Sequence, residues 1–190
     1  MGNSVKSGKT KTFIDLETTG FDFYGSSVIY IAAVVDAPTL EKPDSFYYKI
    51  KPTSLKHWKE DAEKVHGISY GEAMHFDDGL TVAKDLLEKL FSYGEDQEFW
   101  YHGRNAFDLK FLRAFFFMNN YGYYDLFKIF PANKYNSTLD LAKKHLQLKS
   151  YSLNNVCDQL GIELKHHDAM SDAWGSYHIY KKLINNNLTI

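Results

Sequence analysis

The sequence predicts a single α/β domain, and three observations carry that prediction. Short β-branched or aromatic runs at residues 13–17, 28–35 and 46–51, bounded by Gly, Pro and Asp, read as three consecutive strands. Helical spacing follows, with Ala83, Leu86, Leu87, Leu90 and Phe91 repeating at three and four until Gly94 stops the run. Strand-like and helix-like segments then alternate, the order expected of mixed α/β units. The 190 residues suit one domain, and 44% hydrophobic with 16% aromatic content excludes a disordered chain.

The first eleven residues are polar, with Lys6, Lys9 and Lys11, and are expected to form a flexible arm (1–11) ahead of the domain at 12–190. Gly8-Lys9-Thr10 resembles the end of a phosphate-binding loop, but Gly2 lies one residue too far upstream and no strand precedes it. After the first helix, residues 98–101 read as a fourth strand, and Asn105 opens an aromatic-rich helix to about 119. A helix near 139–146 follows. The next is capped by Ser152, carries Leu153, Val156, Cys157 and Leu160 on one stripe, and closes at Gly161. The last helix runs from Asp168 to about residue 184.

Composition excludes several classes. The lone Cys157 allows neither an internal disulfide nor a cysteine zinc cluster, which points to a reduced, cytoplasmic setting. The longest apolar run, residues 28–35, is far short of the roughly 20 residues that span a bilayer. No membrane association is expected. With 22 Lys plus Arg against 24 Asp plus Glu, a broad basic surface for nucleic acid is excluded. An enzyme that reverses local negative charge with bound metal ions is not.

The carboxylates are the informative feature. Asp15 and Glu17, two apart in the first strand, point to one face about 6 to 7 Å apart and are followed directly by Thr18-Thr19-Gly20. A lone pair of this kind is ordinarily a solvated strand end. Asp108, however, falls on the same stripe as Phe111, Leu112 and Phe115, so a carboxylate occupies the core-facing side of a helix; capping of the first turn is the alternative. An unpaired buried charge costs several kcal/mol, so a cation, a metal or a set of donors should await it. Asp172 repeats the pattern on a stripe continuing through Gly175, Ser176, Ile179, Tyr180 and Leu183. His167, five residues earlier and therefore about 140° around a helix, reaches that side from the preceding loop.

Together, D-L-E-T-T-G at 15–20, N-A-F-D-L-K-F-L at 105–112, S-L-N-N-V at 152–156 and H-D-A-M-S-D at 167–172 resemble the DEDDh (DnaQ-like) 3′–5′ exonucleases, notably the proofreading epsilon subunit of bacterial DNA polymerase III. His66-Gly67-Ile68 adds a short further likeness. The resemblance implies a ribonuclease-H-like fold: a mixed five-stranded sheet with its second strand antiparallel, flanked by helices. The fifth strand is then sought at 125–129 or 137–139. It also implies two divalent ions, Mg²⁺ or Mn²⁺, held by Asp15, Glu17, Asp108 and Asp172, with His167 as general base. Thr18, Thr19, Gly20, His66, Asn105 and Phe107 become candidate substrate contacts.

Two departures accompany the likeness. Asn105 stands three residues before Asp108, where the family commonly has four, with His102 and Arg104 nearby. The second strand reads Ile29-Tyr30-Ile31, where the family usually carries an acidic residue. Phe21, Phe23 and Tyr24 read equally as base-stacking surfaces or as core. The expected function is 3′–5′ hydrolysis of single-stranded DNA or RNA ends, of a proofreading or repair type, with a DNA polymerase as candidate partner. The competing expectations are an RNA-trimming enzyme and a non-catalytic binding module on the same fold.

Overall fold

A computed structural model describes residues 8–53, 55–122, 130–131, 134–165 and 168–185. At its centre is a five-stranded sheet in the order β3-β2-β1-β4-β5, made of β1 (Thr10–Thr18), β2 (Val28–Asp36), β3 (Asp44–Lys49), β4 (Gln97–Tyr101) and β5 (Tyr135–Ser137). β2 runs antiparallel to β1 and β3, while β1, β4 and β5 run parallel. The helices are α1 (Glu60–His66), α2 (Tyr70–Ala73), α3 (Gly79–Phe91), α4 (Phe107–Met118), α5 (Thr138–His145), α6 (Leu153–Leu160) and α7 (Ala169–Asn185). Among the described residues no helix is long and apolar enough to cross a membrane.

The period of two along β1 sorts its side chains onto two helical layers. Ile14 and Leu16 join Ile31, Ala33, Leu86, Leu109, Leu112 and Phe116 beneath α3 and α4. Phe13 faces the other way, with Ala32, Val34 and Trp100 against Ala169, Ala173 and Tyr177 of α7. Its ring meets Trp100 at 5.9 Å and Tyr177 edge-on at 5.5 Å. Truncating a phenylalanine so enclosed costs about 3–5 kcal/mol.

The helix ends follow their capping chemistry. The Asp78 carboxylate accepts from the N–H groups of Leu80 and Thr81 at 2.9 and 3.2 Å to start α3. Ser152 and Gly161, the latter at φ 61°, bracket α6. Gly175 lies inside α7 because a Cβ there would stand 2.7 Å from Leu164 Cδ1 and 3.3 Å from Cys157 Sγ. Close packing of α7 against α6 and the segment after it thus accounts for a residue that costs a helix about 1 kcal/mol.

The structure corrects several boundaries. β1 begins at Thr10, inside the stretch expected as an arm, because Thr10 and Lys11 pair with Gln97 and Glu98 of β4. α4 begins at Phe107 rather than Asn105, since Asn105 and Ala106 have φ of 59° and 51°, outside the right-handed helical region. The fifth strand is Tyr135–Ser137; Thr138 and Leu139 already belong to α5. The alternative location at 125–129, together with residues 1–7, lies outside the described residues. The short helices α1 and α2 carry too few turns to register as periodicity.

Candidate active site

β1 delivers Asp15 and Glu17 at its C-terminal end, opposite Ala32 and Tyr30 of β2 and on the α7 side of the sheet. A register shift between Glu17 and Thr18 then bends the chain away. The turn that follows is internally held: Thr18 Oγ1 donates to the Gly20 carbonyl at 2.8 Å, and Thr19 Oγ1 accepts from the Ser27 N–H at 2.9 Å. Gly20 is packed so closely that a Cβ would meet Ser26 Oγ at 2.8 Å and Lys59 Cγ at 3.0 Å. The Thr19 backbone is tied into the same turn, its N–H donating to the Ser27 carbonyl and its carbonyl accepting from the Lys59 N–H, each at 2.9 Å.

Asp108, in the first turn of α4, is buried, with the backbone of Leu16 on β1 beside its carboxyl. It both occupies the first turn and faces inward. Asp172 enters from the first turn of α7, whose start is organised by Asp168 Oδ1 accepting the Ser171 N–H at 3.0 Å.

These side chains feel one another. Burial raises the Asp15 carboxyl well above the usual carboxylate range, and the charges of Asp108, Asp172 and Glu17 raise it further. Glu17 is pushed up to about 8 by burial, then by Asp172, Asp108 and Asp168. Asp108 is raised to about 7, again chiefly by burial, with the backbone of Asp108 and Leu16 opposing and Asp172 reinforcing. Among the described residues no three His, Cys, Asp or Glu side chains already converge on one coordination point. The donor set nonetheless suits a hard divalent cation: oxygen ligands, carrying excess negative charge.

His66 closes one side. It ends α1, where Gly67 at φ 70° turns the chain, and its buried ring accepts the Ile68 N–H at Nδ1 over 3.0 Å. Because Nδ1 accepts, the neutral ring has its proton at Nε2, and burial lowers the pKa, with Glu63 opposing. That buried Nε2 has no hydrogen-bond partner among the described residues. His66 lines a cleft of about 320 Å³ together with Glu17, Tyr30, Tyr47, Lys49 and Asp168. Tyr30, where the resemblance leads one to expect an acid, has its hydroxyl pushed up to about 12 by burial and then by Asp168, Tyr47 and Glu17.

The remaining candidates separate. Asn105 is exposed in its left-handed turn. Phe107 is half-buried and packs against Phe21 at 6.0 Å and Phe23 at 5.7 Å. Phe23 belongs to the core layer, whereas Phe21 and Tyr24 are 80% and 84% exposed. His102 is committed to structure, with Nδ1 2.9 Å from Thr138 Oγ1 and Nε2 3.0 Å from the Tyr151 carbonyl, bracing β4 against α5 and the lead into α6. His167 and its neighbour His166 lie outside the described residues. Tyr47, Lys49 and Asp168 were not anticipated as cleft residues. The first two join it only through cross-strand register, whereas Asp168 stood in a recognised motif.

The fold and its acidic cleft define the class, an α/β nuclease domain. More narrowly, the chain belongs to the Exonuclease (RNase T) family, whose family model matches residues 12–180. It is 28% identical over 179 residues to the PolC-type DNA polymerase III of Thermotoga maritima and 26% identical to that of Thermotoga petrophila, covering 92% of this chain and 12% of each relative's length. Among solved structures, product-bound exonuclease I aligns over 93% of this chain and 43% of its own, at 21% identity and a TM-score of 0.74. E. coli exonuclease I in complex with a dT13 oligonucleotide gives 0.72 at 21% identity, over 92% of this chain and 41% of that one. The likeness to these structures establishes the ribonuclease-H-like exonuclease fold.

Proposed function

We propose that this chain is a divalent-metal-dependent 3′–5′ exonuclease that releases nucleoside 5′-monophosphates from the 3′ end of single-stranded nucleic acid, DNA in preference to RNA. One observation carries the reading: Asp15, Glu17, Asp108 and Asp172, from three elements far apart in sequence, repel one another at the end of the central strand. Such crowding is unfavourable unless a ligand brings positive charge. Two ions, Mg²⁺ or Mn²⁺, supply Lewis-acid activation of water and charge neutralisation at the phosphate when bound. Asp15, Glu17, Asp108 and Asp172 would hold these ions through their carboxylate oxygens.

His167, directly before Asp168, takes the proton of the attacking water. Water oxygen bonds to phosphorus, the bond to the upstream 3′-oxygen breaks, and that oxygen leaves as a 3′-hydroxyl after taking a proton from solvent. The His66 Nε2–H donates to an oxygen of the bound strand. The backbone of Thr18–Gly20 lies against the terminal nucleotide, with Asn105, Phe107 and the exposed Phe21 at its rim. The dT13 complex of exonuclease I supports DNA as substrate, and the likeness to a segment of PolC-type polymerases supports a DNA polymerase as partner.

Matched DNA and RNA oligonucleotides, labelled and blocked at either end, are incubated with Mg²⁺, Mn²⁺ or EDTA. Stepwise shortening of free 3′ ends with metal, faster on DNA, is expected. Absence of shortening with both metals overturns the reading.

A further inference from the structure

We propose that Tyr47, backed by Tyr30, forms a stacking shelf for the nucleobase just upstream of the scissile phosphate, with Lys49 beside it for that strand's phosphate. This rests on the exonuclease reading and extends it by giving the strand a path. Glu17 pairs with Tyr30 across β1 and β2, and Tyr30 pairs with Lys49 across β2 and β3, so the three stand in line on one face of the sheet. Tyr47, two residues before Lys49, shares that face. Its ring lies 5.5 Å from that of Tyr30 at an interplanar angle of 10°.

The two rings differ in a way that suits a platform. Tyr30 is half-buried, which holds the inner ring, while Tyr47 is 57% exposed and offers its outer face. Bases stack on such rings with little regard to sequence, and a base in a strand without a partner has its faces open. Lys49 Nζ lies 5.0 Å from the Phe76 ring centroid and 5.9 Å from that of Tyr30, and pairs with Glu72 at 3.7 Å. That exposed pair is worth little and can yield to a phosphate. Both tyrosines and Lys49 line the cleft that contains Glu17 and His66. The buried Nε2 of His66, without a hydrogen-bond partner among the described residues, is an independent sign that this cleft receives a polar ligand. The Thr18–Gly20 turn, Phe21 and Phe107 provide a separate surface for the terminal nucleotide. A strand whose scissile phosphate lies over the carboxylates thus has one aromatic surface for each of its last two bases.

The test compares wild type, Tyr47→Ala and Tyr47→Phe. Binding of fluorescein-labelled tetrathymidylate is measured in Ca²⁺, alongside binding of thymidine 5′-monophosphate. Hydrolysis is measured on the tetranucleotide and on the 4-nitrophenyl ester of thymidine 5′-monophosphate, which lacks an upstream base. Tyr47→Ala is expected to weaken tetranucleotide binding and raise its KM by about tenfold, the scale of one lost stacking contact. kcat, mononucleotide binding and ester hydrolysis should stay within about twofold, the signature of an interaction made equally in ground and transition states. Tyr47→Phe should retain wild-type behaviour. Unchanged tetranucleotide binding in Tyr47→Ala, or an equal loss on the mononucleotide and ester, overturns the shelf. If wild type binds the strand through Tyr47 but hydrolyses nothing with Mg²⁺ or Mn²⁺, the exonuclease reading fails, and with it the placement beside a scissile phosphate, while base stacking on Tyr47 stands by itself. If wild type hydrolyses and Tyr47→Ala is silent, the reverse holds.

Discussion

Asp44, at the start of β3, accepts a hydrogen bond from the Tyr93 hydroxyl and sits 3.2 Å from Lys89 Nζ, whose ammonium also lies over the Tyr93 ring at 5.1 Å. The Tyr93 bond above all, with Lys89 assisting, holds its carboxyl below the ordinary range. Asp15, near the other end of the same sheet, is shifted by burial and by three further carboxylates, all upward. One acid has its partners supplied by the fold. The other has been given rivals. The cluster at Asp44 is complete in the folded chain, whereas the upward shift at Asp15 is of the kind that bound positive charge would relieve.

The sharpest way to break this contrast is to neutralise the crowded acids. Asp15→Asn and Asp172→Asn are each expected to lower 3′ trimming by about a thousandfold, the scale on which a key electrostatic group is lost. In EDTA both variants should melt at or above the wild-type temperature, because a repulsion has been removed. Substantial trimming by either variant, or marked loss of stability in EDTA, breaks the comparison. Next in size, His167→Ala should slow turnover by about a hundredfold or more while Mn²⁺ affinity is kept. His166→Ala is the control and should trim like wild type.

The pH dependence of stability sharpens the contrast. Glu17 rises from an ordinary 4.5 to about 8 and Asp108 from 3.8 to about 7, so the folded chain binds more protons than the unfolded chain between these values. Stability therefore falls as pH rises across that window. Melting in EDTA should weaken from pH 5 to pH 8, and the stabilisation added by Mn²⁺ should grow over the same range. A metal increment independent of pH contradicts the shifts. The smallest effect is expected at the satisfied cluster: Asp44→Asn should cost about 1 kcal/mol, a few degrees in Tm, and leave trimming unchanged.

Much of the candidate site, as an inward-facing set of acids, was legible because two periodicities expose misplaced charge. Alternation put Asp15 and Glu17 on one strand face, and the 3.6-residue repeat put Asp108 and Asp172 on inward stripes. The fold was legible for the same reason wherever elements run for several turns or alternations. β5 escaped because Tyr135–Ser137 is three residues long, and α1 escaped because seven residues show barely two turns. The alignment of Glu17, Tyr30 and Lys49 depends on strand register, which local pattern does not fix. His102, with no role assigned from sequence beyond standing near Asn105, has both ring nitrogens bound within the fold.

Anomalous diffraction from manganese-soaked crystals tests the central claim most directly. The account predicts two manganese peaks held by carboxylate oxygens of Asp15, Glu17, Asp108 and Asp172. Crystals that take up manganese elsewhere while these carboxylates stay apart, with no peak between them, would contradict it.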